Sequence, residues 1–210
     1  MENKTSVLSL LASALNRRDE QPNIELAARI VERNDADAVK ELIEGLGHKK
    51  KDIRYDCVKA LYEIGARQPA MVAPYFSNFL ALLDSRDNRL QWGGMTALSA
   101  IADEAPEPMF QALGHIAAAD KGSVVTRDHA VKIMSRLALM DAYYEDVMPL
   151  LIEQVLAAPV NQLPMYAELA APAVRPSHRD AFVEALQIRL ENLEQAPKRK
   201  RLEKVMKTVS

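Results

Sequence analysis

The sequence predicts an all-α protein built from stacked pairs of helices. Apolar residues recur at three- and four-residue spacing in nearly every segment, which is the periodicity of helices that bury one face. No segment alternates apolar and polar residues for long enough to indicate a strand. Glycine is scarce, with 7 in 210 residues, whereas most β-architectures use more glycine in their turns. We therefore expect about eleven or twelve helices, most of them roughly 10 to 18 residues long.

Each predicted helix is marked by its own apolar stripe. Prolines lie between several stripes, at positions where proline starts or ends a helix, and cap or turn residues lie beside others. The prolines are Pro69, Pro106 and Pro159, and the cap or turn residues are Asp35, Ser85–Asp87 and Asp120–Ser123. The stripes run over Val7–Leu15, Ala27–Val31, Val39–Leu46, Ile53–Ile64, Phe76–Leu83, Leu90–Ile101, Met109–Ile116, Val125–Leu137, Val147–Leu156, Leu163–Val174 and Phe182–Leu193.

A pattern of five positions occurs four times, with a period of 36 or 37 residues. Small or apolar residues stand at offsets 0, 4, 7, 8 and 11 from the starting residue, and the one exception is Thr126. This spacing places all five positions on one helical face. A second apolar helix precedes each set, and two helices per unit with this period are typical of an α-solenoid. The four sets start at Ile53, Leu90, Thr126 and Leu163, and their offset-4 residues are Cys57, Gly94, Ala130 and Ala167.

Two stretches of the chain resemble HEAT repeats. They read ELIEGLGHKKKDIRYDCVKALYEIG and FLALLDSRDNRLQWGGMTALSAIA, and each ends in the A-L-x-x-I run of that family. The resemblance covers Ala38–Ala102, extends to Met109–Ala138 and weakens beyond, where Pro164 stands in place of the usual arginine. It implies a right-handed α-α superhelix with a concave face formed by the second helices. It also implies binding as the usual role.

We expect one continuous domain over residues 1–195, with four to five HEAT-like helical pairs and capping helices. A single pair cannot bury its apolar face, so each pair packs on the next and the ends need caps. Residues 5–34 are predicted to cap the N-terminal end and residues 175–195 the C-terminal end. The repeats are predicted near residues 35–66, 71–104, 107–140 and 142–174, and residues 196–210 form a basic tail or helix.

Composition excludes several classes of protein. Apolar residues make up 49% of the chain, which is enough for a substantial core. The single cysteine, Cys57, allows no internal disulfide and is expected to be a buried structural thiol. The net charge of −2 and a pI of about 6.1 give no overall attraction to nucleic acid or membrane. Without a signal peptide pattern or a long apolar run, we expect a cytoplasmic protein.

The repeat register indicates which side chains face outward near the start of each second helix. Half of the residues at offsets 2 and 3 are aromatic or apolar, although this surface should face water. The register also directs Asp56 and Lys59 outward. An aromatic wall beside a carboxylate suits a cationic or stacked ligand. The candidate binding residues are Tyr55, Trp92, Arg127, Asp128, His129 and Tyr166.

Each candidate also has a purely structural interpretation. Gly93 and Gly94 follow Trp92, either because a ligand approaches there or because helices pack tightly at Gly94 with Gly93 incidental. Asp128 can simply stabilise the first turn of its helix, where carboxylates are favoured. His129 can be an ordinary polar surface residue. In such solenoids, an arginine like Arg127 commonly pairs with an aspartate of a neighbouring repeat. The candidate partners for that pair are Asp84, Asp87 and Asp120.

The C-terminal segment carries six cationic residues against Glu203 alone. A charge run of this kind is usually a solvated face, but it can also contact phosphate or an acidic partner. Leu202, Val205, Met206 and Val209 form an apolar stripe, so the tail can be a helix docked on the last repeat.

Three functions from different classes are open to this sequence. The first is a non-enzymatic binding or scaffold protein whose groove holds a protein partner, with no cofactor and no metal. The second is a DNA-binding protein related to the HEAT-like alkylpurine DNA glycosylases. Those enzymes use aromatic side chains and one aspartate, and Trp92 and Asp128 resemble them in residue type only. The third is a HEAT-like lyase or chaperone-type helper. The Trp92 region can instead be a contact between two copies of the chain.

Overall fold

The computed structural model describes residues 6–119 and 123–209. Within these ranges the chain forms α-helices and short 3-10 helices and has no strand, which confirms the predicted all-α class. The 3-10 helices are Val7–Leu10, Pro69–Met71, Ala73–Tyr75, Leu82–Asp84 and Ala171–Ala173. The α-helices are α1 (Gln21–Arg33), α2 (Ala36–Gly45), α3 (Lys51–Arg67), α4 (Phe76–Ala81), α5 (Asn88–Ala100), α6 (Pro106–Gln111), α7 (Leu113–Ala119), α8 (Val124–Leu137), α9 (Tyr144–Ala157), α10 (Leu163–Ala170), α11 (Pro176–Glu191) and α12 (Ala196–Val209).

The chain divides into two compact units, residues 1–126 and 127–210, and each is described on its own. In the first unit α3 packs against α2, its partner in a helical pair, and lies between α1 and α5. In the second unit α11 packs on α9, and α12 packs on α10. Helices α11 and α12 therefore add a further pair to the pair α9–α10. The single continuous domain stays a prediction.

The repeat register agrees with burial through the first three sets. Residues at offsets 4, 7, 8 and 11 are buried from Cys57 to Ile64, from Gly94 to Ile101 and from Ala130 to Leu137. The fourth set departs from the register after Ala170, where α10 ends and a 3-10 turn carries Pro172. Proline has no N–H with which to continue the helical ladder, so the prediction of a helix through Val174 is wrong.

The one polar exception in the register has a local explanation. Thr126 is buried, and its hydroxyl donates to the carbonyl oxygen of Ser123 at 2.8 Å. In return, the backbone N–H of Thr126 donates to the Ser123 hydroxyl at 3.2 Å, and the Ser123 N–H donates to Oγ1 of Thr126 at 3.1 Å. This reciprocal pattern satisfies N–H groups that the start of α8 leaves without a helical partner.

Cap and proline chemistry place several helix starts as predicted. The side chain of Asp35 accepts the Ala38 N–H at 3.0 Å and caps α2. Asp87 accepts the Arg89 N–H at 3.1 Å and caps α5. Pro106 begins α6, as predicted. Pro164, which departs from the repeat pattern, does not prevent α10 from starting, because it lies at the second position, where no N–H is needed for the ladder. Of the turn predicted at Asp120–Ser123, residues 120–122 lie outside the described residues.

The N-terminal stripe Val7–Leu15 does not form an α-helix, contrary to the sequence prediction. It contains one 3-10 turn over Val7–Leu10. Further along, the Ala12 and Ser13 N–H groups, which a helix would pair internally, donate instead to side chains of other helices. The Val7 N–H donates to Glu41 at 3.1 Å, and the Ala12 N–H donates to Asn23 at 2.9 Å. The segment is thereby fastened to α1, α2 and α3, and its role as a cap stays a prediction.

Candidate functional site

Tyr55 of α3 and Trp92 of α5 line one cavity of about 440 Å³ in the first unit. Trp92 is 38% exposed, which is high for the largest apolar side chain. Tyr62, about two helical turns beyond Tyr55 on α3, lines the same cavity. Aromatic residues make up only 5% of the chain, so three of them around one cavity are a marked concentration. We call Tyr55, Lys59, Tyr62, Arg89 and Trp92 the aromatic–cationic surface.

Gly93 brings the two helices of this surface together. A Cβ atom on Gly93 would lie 2.4 Å from Cγ2 of Val58 on α3, so the glycine allows direct contact between α3 and α5. On Gly94, a Cβ atom would lie 2.9 Å from the carbonyl oxygen of Phe79 on α4. The interpretation of Gly94 as a packing residue is confirmed. Gly93 is not incidental, since it serves the α3–α5 contact as Gly94 serves the α4–α5 contact.

Tyr55 is held by a network of polar and cationic neighbours. Its hydroxyl donates to Oδ2 of Asp87 at 2.6 Å, and Nζ of Lys51 lies 3.0 Å from the same oxygen. The hydrogen bond from Tyr55, aided by Lys51, lowers the pKa of Asp87 below its usual range. The Arg89 guanidinium lies 4.8 Å from the centroid of the Tyr55 ring, within the range of a cation–π contact. The ring is thus fixed in orientation at the wall of the cavity.

Arg89 is the residue at which three cavities meet. Besides the cavity of about 440 Å³, it lines one of about 530 Å³ with Arg17 and Arg18 and one of about 560 Å³ with Arg54 and Arg86. The guanidinium also donates to Glu20 at 3.0 Å. The repeat register does not single out Arg89, because it lies one residue before the start of the repeated pattern.

Lys59 is nearly buried, contrary to the outward orientation that the register predicts. Its Nζ lies 3.1 Å from Oε2 of Glu20 and 2.9 Å from Oε1 of Glu63, and it lies 4.7 Å from the centroid of the Tyr62 ring. Burial alone would lower the pKa of Lys59, but Tyr62 and the two carboxylates outweigh it and raise that pKa above its ordinary value. Lys59 is therefore a fixed cation at the base of the surface.

Asp56 also faces inward, contrary to prediction. It is 7% exposed and accepts hydrogen bonds from the Ser13 N–H and from Nδ2 of Asn23, both at 2.7 Å. The carboxylate is needed to fasten the N-terminal cap and α1 to α3. It is a structural residue and not part of the surface.

The second unit holds the remaining candidates, Arg127, Asp128, His129 and Tyr166. Tyr166 is fully buried, so the prediction that it lines a groove is wrong: α10 packs against both α9 and α12, and its aromatic ring fills the interior. The Tyr166 hydroxyl donates to Oδ1 of Asp128 at 2.8 Å, which joins α10 to α8. The placement of Asp128 in one groove with Trp92 stays a prediction.

His129 is half-buried beside Lys132. Burial, together with the positive charge of Lys132, lowers its pKa to about 4, so the imidazole is neutral at physiological pH. Of the partners considered for Arg127, Asp84 contacts His115 at 2.8 Å, Asp87 bonds Tyr55 and Lys51, and Asp120 lies outside the described residues. The predicted aspartate pair of Arg127 stays a prediction.

The basic C-terminal tail is a docked helix. Leu202, Val205 and Val209 of α12 are buried. Several cations of the segment are engaged within the unit: Arg201 forms a bidentate pair with Glu168 at 2.8 and 2.6 Å, and Arg199 donates to the Leu193 carbonyl at 3.1 Å. Some of the cationic residues therefore hold α12 against the rest of the second unit. Lys200, Lys204 and Lys207 are exposed on the same helix.

Cys57 is buried as predicted, and burial raises the pKa of its thiol to about 12. A thiol in this environment is protonated and inert. Across residues 6–119 and 123–209, no group of three or more metal-ligating side chains converges. In the same part of the chain, no helix is both long enough and apolar enough to span a membrane.

Comparison with known proteins yields structural likenesses alone. No protein-family model matches the sequence, and no curated protein matches it either. An engineered protein solved by the Northeast Structural Genomics Consortium aligns with a TM-score of 0.66 at 18% identity, over 100% of this chain and 99% of its own. A designed armadillo repeat protein aligns with a TM-score of 0.65 at 15% identity, over 97% and 100%.

A second engineered protein from the same consortium aligns with a TM-score of 0.59 at 16% identity, over 100% of this chain and 97% of its own. Identities this low carry no functional inference, but the alignments span nearly the full length of each chain. The fold is that of a HEAT/armadillo-like helical-repeat solenoid.

Proposed function

We propose that this protein is a non-enzymatic binding or scaffold protein that holds an extended segment of a partner protein on its aromatic–cationic surface. The proposal rests on one observation: three adjoining cavities meet at Arg89, and the exposed ring of Trp92 lies in two of them. A repeat fold of stacked helical pairs commonly presents an extended surface for partners.

The residue types on this surface are those that dominate protein interfaces. Tryptophan, tyrosine and arginine are enriched at binding hot spots, because each combines a large contact area with a polar group. Tyr55 and Lys59 are already fixed by Asp87, Glu20 and Glu63, so little side-chain entropy is lost when a partner docks. A row of cavities with a rigid wall suits an extended chain whose side chains occupy successive depressions.

The alternative of a glycosylase-like DNA-binding protein depends on Asp128 as a free carboxylate. That carboxylate accepts the hydrogen bond of the buried Tyr166 hydroxyl at 2.8 Å, which gives the aspartate a structural role. The alternative of a lyase or chaperone-type helper depends on the aromatic surface alone. The second of these alternatives places its ligand where a protein segment would bind, so Trp92→Ala tests it as well.

A peptide-display experiment tests the proposal. Random twelve-residue peptides are selected on the wild-type protein, and the affinity of selected peptides is then measured for Trp92→Ala and for Leu139→Ala. Leu139 is 54% exposed and lies in the second unit, which makes it a matched apolar control. We expect Trp92→Ala to weaken binding at least about tenfold, and Leu139→Ala to leave it unchanged. Selected peptides that bind Trp92→Ala as tightly as wild type contradict the proposal.

A further inference from the structure

A basic pocket adjoins the aromatic–cationic surface where α3 and α5 begin. It is the cavity of about 560 Å³, and it shares Arg89 and Trp92 with the surface. Three further cationic side chains line it, from the first turns of α3 and from the turn before α5. These are Lys51, Arg54 and Arg86.

Two of the four cations are compensated by carboxylates. Lys51 pairs with Asp87 at 3.0 Å, and Arg89 pairs with Glu20 at 3.0 Å. These contacts fix the walls of the pocket, because each anchors a long side chain at a defined position. Asp87 is the one carboxylate among the lining residues, and its charge is already matched by Lys51.

The other two cations have no compensation from the protein. Neither Arg54 nor Arg86 forms an ion pair within residues 6–119 and 123–209. Nε of Arg54 is shielded from solvent and has no hydrogen-bond acceptor in that part of the chain. A shielded donor without an acceptor costs free energy, and a bound acceptor relieves this cost. The pocket therefore has two guanidinium groups available to a bound anion.

We propose that this pocket receives a phosphorylated side chain of the partner protein. A phosphate monoester carries close to two negative charges at neutral pH and presents three acceptor oxygens, which matches two uncompensated guanidinium groups. Guanidinium donors bind phosphate oxygens in pairs. A carboxylate has one charge and leaves one arginine uncompensated. The inference rests on the proposed function, because Trp92 would contact the residues that flank the phosphorylated one.

The single tryptophan of the chain lines the pocket and reports its occupancy. Capped phosphoserine is titrated into the full-length protein at constant ionic strength, and the fluorescence of Trp92 is followed. We expect a saturable change that capped serine does not produce and that capped glutamate produces only at concentrations at least about tenfold higher.

Charge-removing variants locate the binding. Arg54→Gln and Arg86→Gln are each expected to weaken the phosphoserine response about tenfold or more. Arg33→Gln removes the same charge from an exposed arginine at the end of α1 and is expected to change nothing. Far-ultraviolet circular dichroism verifies that each variant is folded. If Arg54→Gln is unstable, Arg86→Gln alone decides the test, because Arg86 is exposed and its replacement should not disturb the fold.

The outcomes separate this inference from the proposed function. A response that fails to saturate, that capped glutamate reproduces at equal concentration, or that survives in Arg86→Gln overturns the phosphate pocket. Such a result leaves the proposed function intact if display-selected peptides still depend on Trp92. If those peptides are indifferent to Trp92→Ala, the proposed function fails whatever the phosphoserine titration shows.

Discussion

The carboxylate of Asp56 on α3 accepts a hydrogen bond from the Asn23 side chain on α1 at 2.7 Å, in a site closed to solvent. The same carboxylate accepts the Ser13 N–H at 2.7 Å. One side chain thus connects two points of the N-terminal segment, Ser13 and Asn23 of α1, to a helix that lies 43 and 33 residues further along the chain. This relationship explains why a residue on the expected binding face turns into the protein.

Replacement of Asp56 by alanine is expected to destabilise the protein by about 2–4 kcal/mol, because it leaves the Asn23 amide and the Ser13 N–H without an acceptor. Urea unfolding followed by circular dichroism measures the loss. Glu44→Ala is the control, since Glu44 is exposed on α2 and its loss should change stability by less than about 0.5 kcal/mol. Equal stability of the two variants would show that Asp56 has no such role.

Replacement of Gly93 by alanine is expected to destabilise the fold by about 1–3 kcal/mol, although alanine favours helix by about 1 kcal/mol. The added Cβ would lie 2.4 Å from Cγ2 of Val58 and force α3 and α5 apart. Combination with Val58→Ala should restore part of the loss, because the smaller side chain makes room for the added Cβ. The double variant should therefore lose less stability than the sum of the losses of the two single variants. Chemical denaturation of all three variants gives the coupling energy.

Gly114→Ala is the matched glycine control for that experiment. A Cβ at position 114 meets no atom within 4 Å, so the substitution should be neutral or slightly stabilising. If Gly93→Ala behaves like Gly114→Ala, the close contact between α3 and α5 is not required by the fold.

Acid is expected to destabilise the second unit through His129. Burial and Lys132 lower the pKa of His129 to about 4 in the folded protein from an ordinary value of 6.5. The unfolded chain therefore binds a proton that the folded chain does not, and stability falls as the pH drops from about 6.5 to about 4. Because His129 is only half-buried, we expect the loss to be about 1–2 kcal/mol.

The measurement is the free energy of unfolding at pH 7 and at pH 4.5 for wild type and His129→Gln. The variant should lose less stability over this interval, because glutamine takes up no proton. A pH dependence that is identical in wild type and in His129→Gln would refute the assignment to His129.

Leu202→Ala is expected to cost about 2–4 kcal/mol, because it removes a fully buried side chain that docks α12. Leu139→Ala, at a site that is 54% exposed, should have little effect in the same urea titration. A small effect of Leu202→Ala would mean that the C-terminal helix does not contribute to the folded unit.

A contribution of α12 to nucleic-acid binding is tested by charge substitutions rather than by truncation. Deletion of the helix would remove Leu202 and Val205 from the interior. Lys200→Gln, Lys204→Gln and Lys207→Gln together remove exposed charge and should leave stability unchanged. The triple variant, compared with wild type for salt-dependent binding of double-stranded DNA, measures any electrostatic contribution of this helix.

The sequence by itself determined the helical class, the period of the repeat and the buried positions from Cys57 to Leu137, because these depend on the spacing of residues along one helix. Caps at Asp35 and Asp87 were predictable for the same reason, since their hydrogen bonds close within three residues. The exposure of Trp92 beside Tyr55 also followed from the register.

The tertiary structure alone decided which of the other residues predicted to face outward are accessible to a partner. Asp56 bonds a side chain 33 residues away and Tyr166 one 38 residues away, and both leave the surface for that reason. Arg89 lies at the meeting point of three cavities only because α5 packs on α3 and the segment before α1 lies beside them. The spacing of apolar residues defines which side of a helix is buried. The hydrogen bonds and contacts that a side chain makes depend on segments that are distant in the sequence, and a local pattern does not predict them.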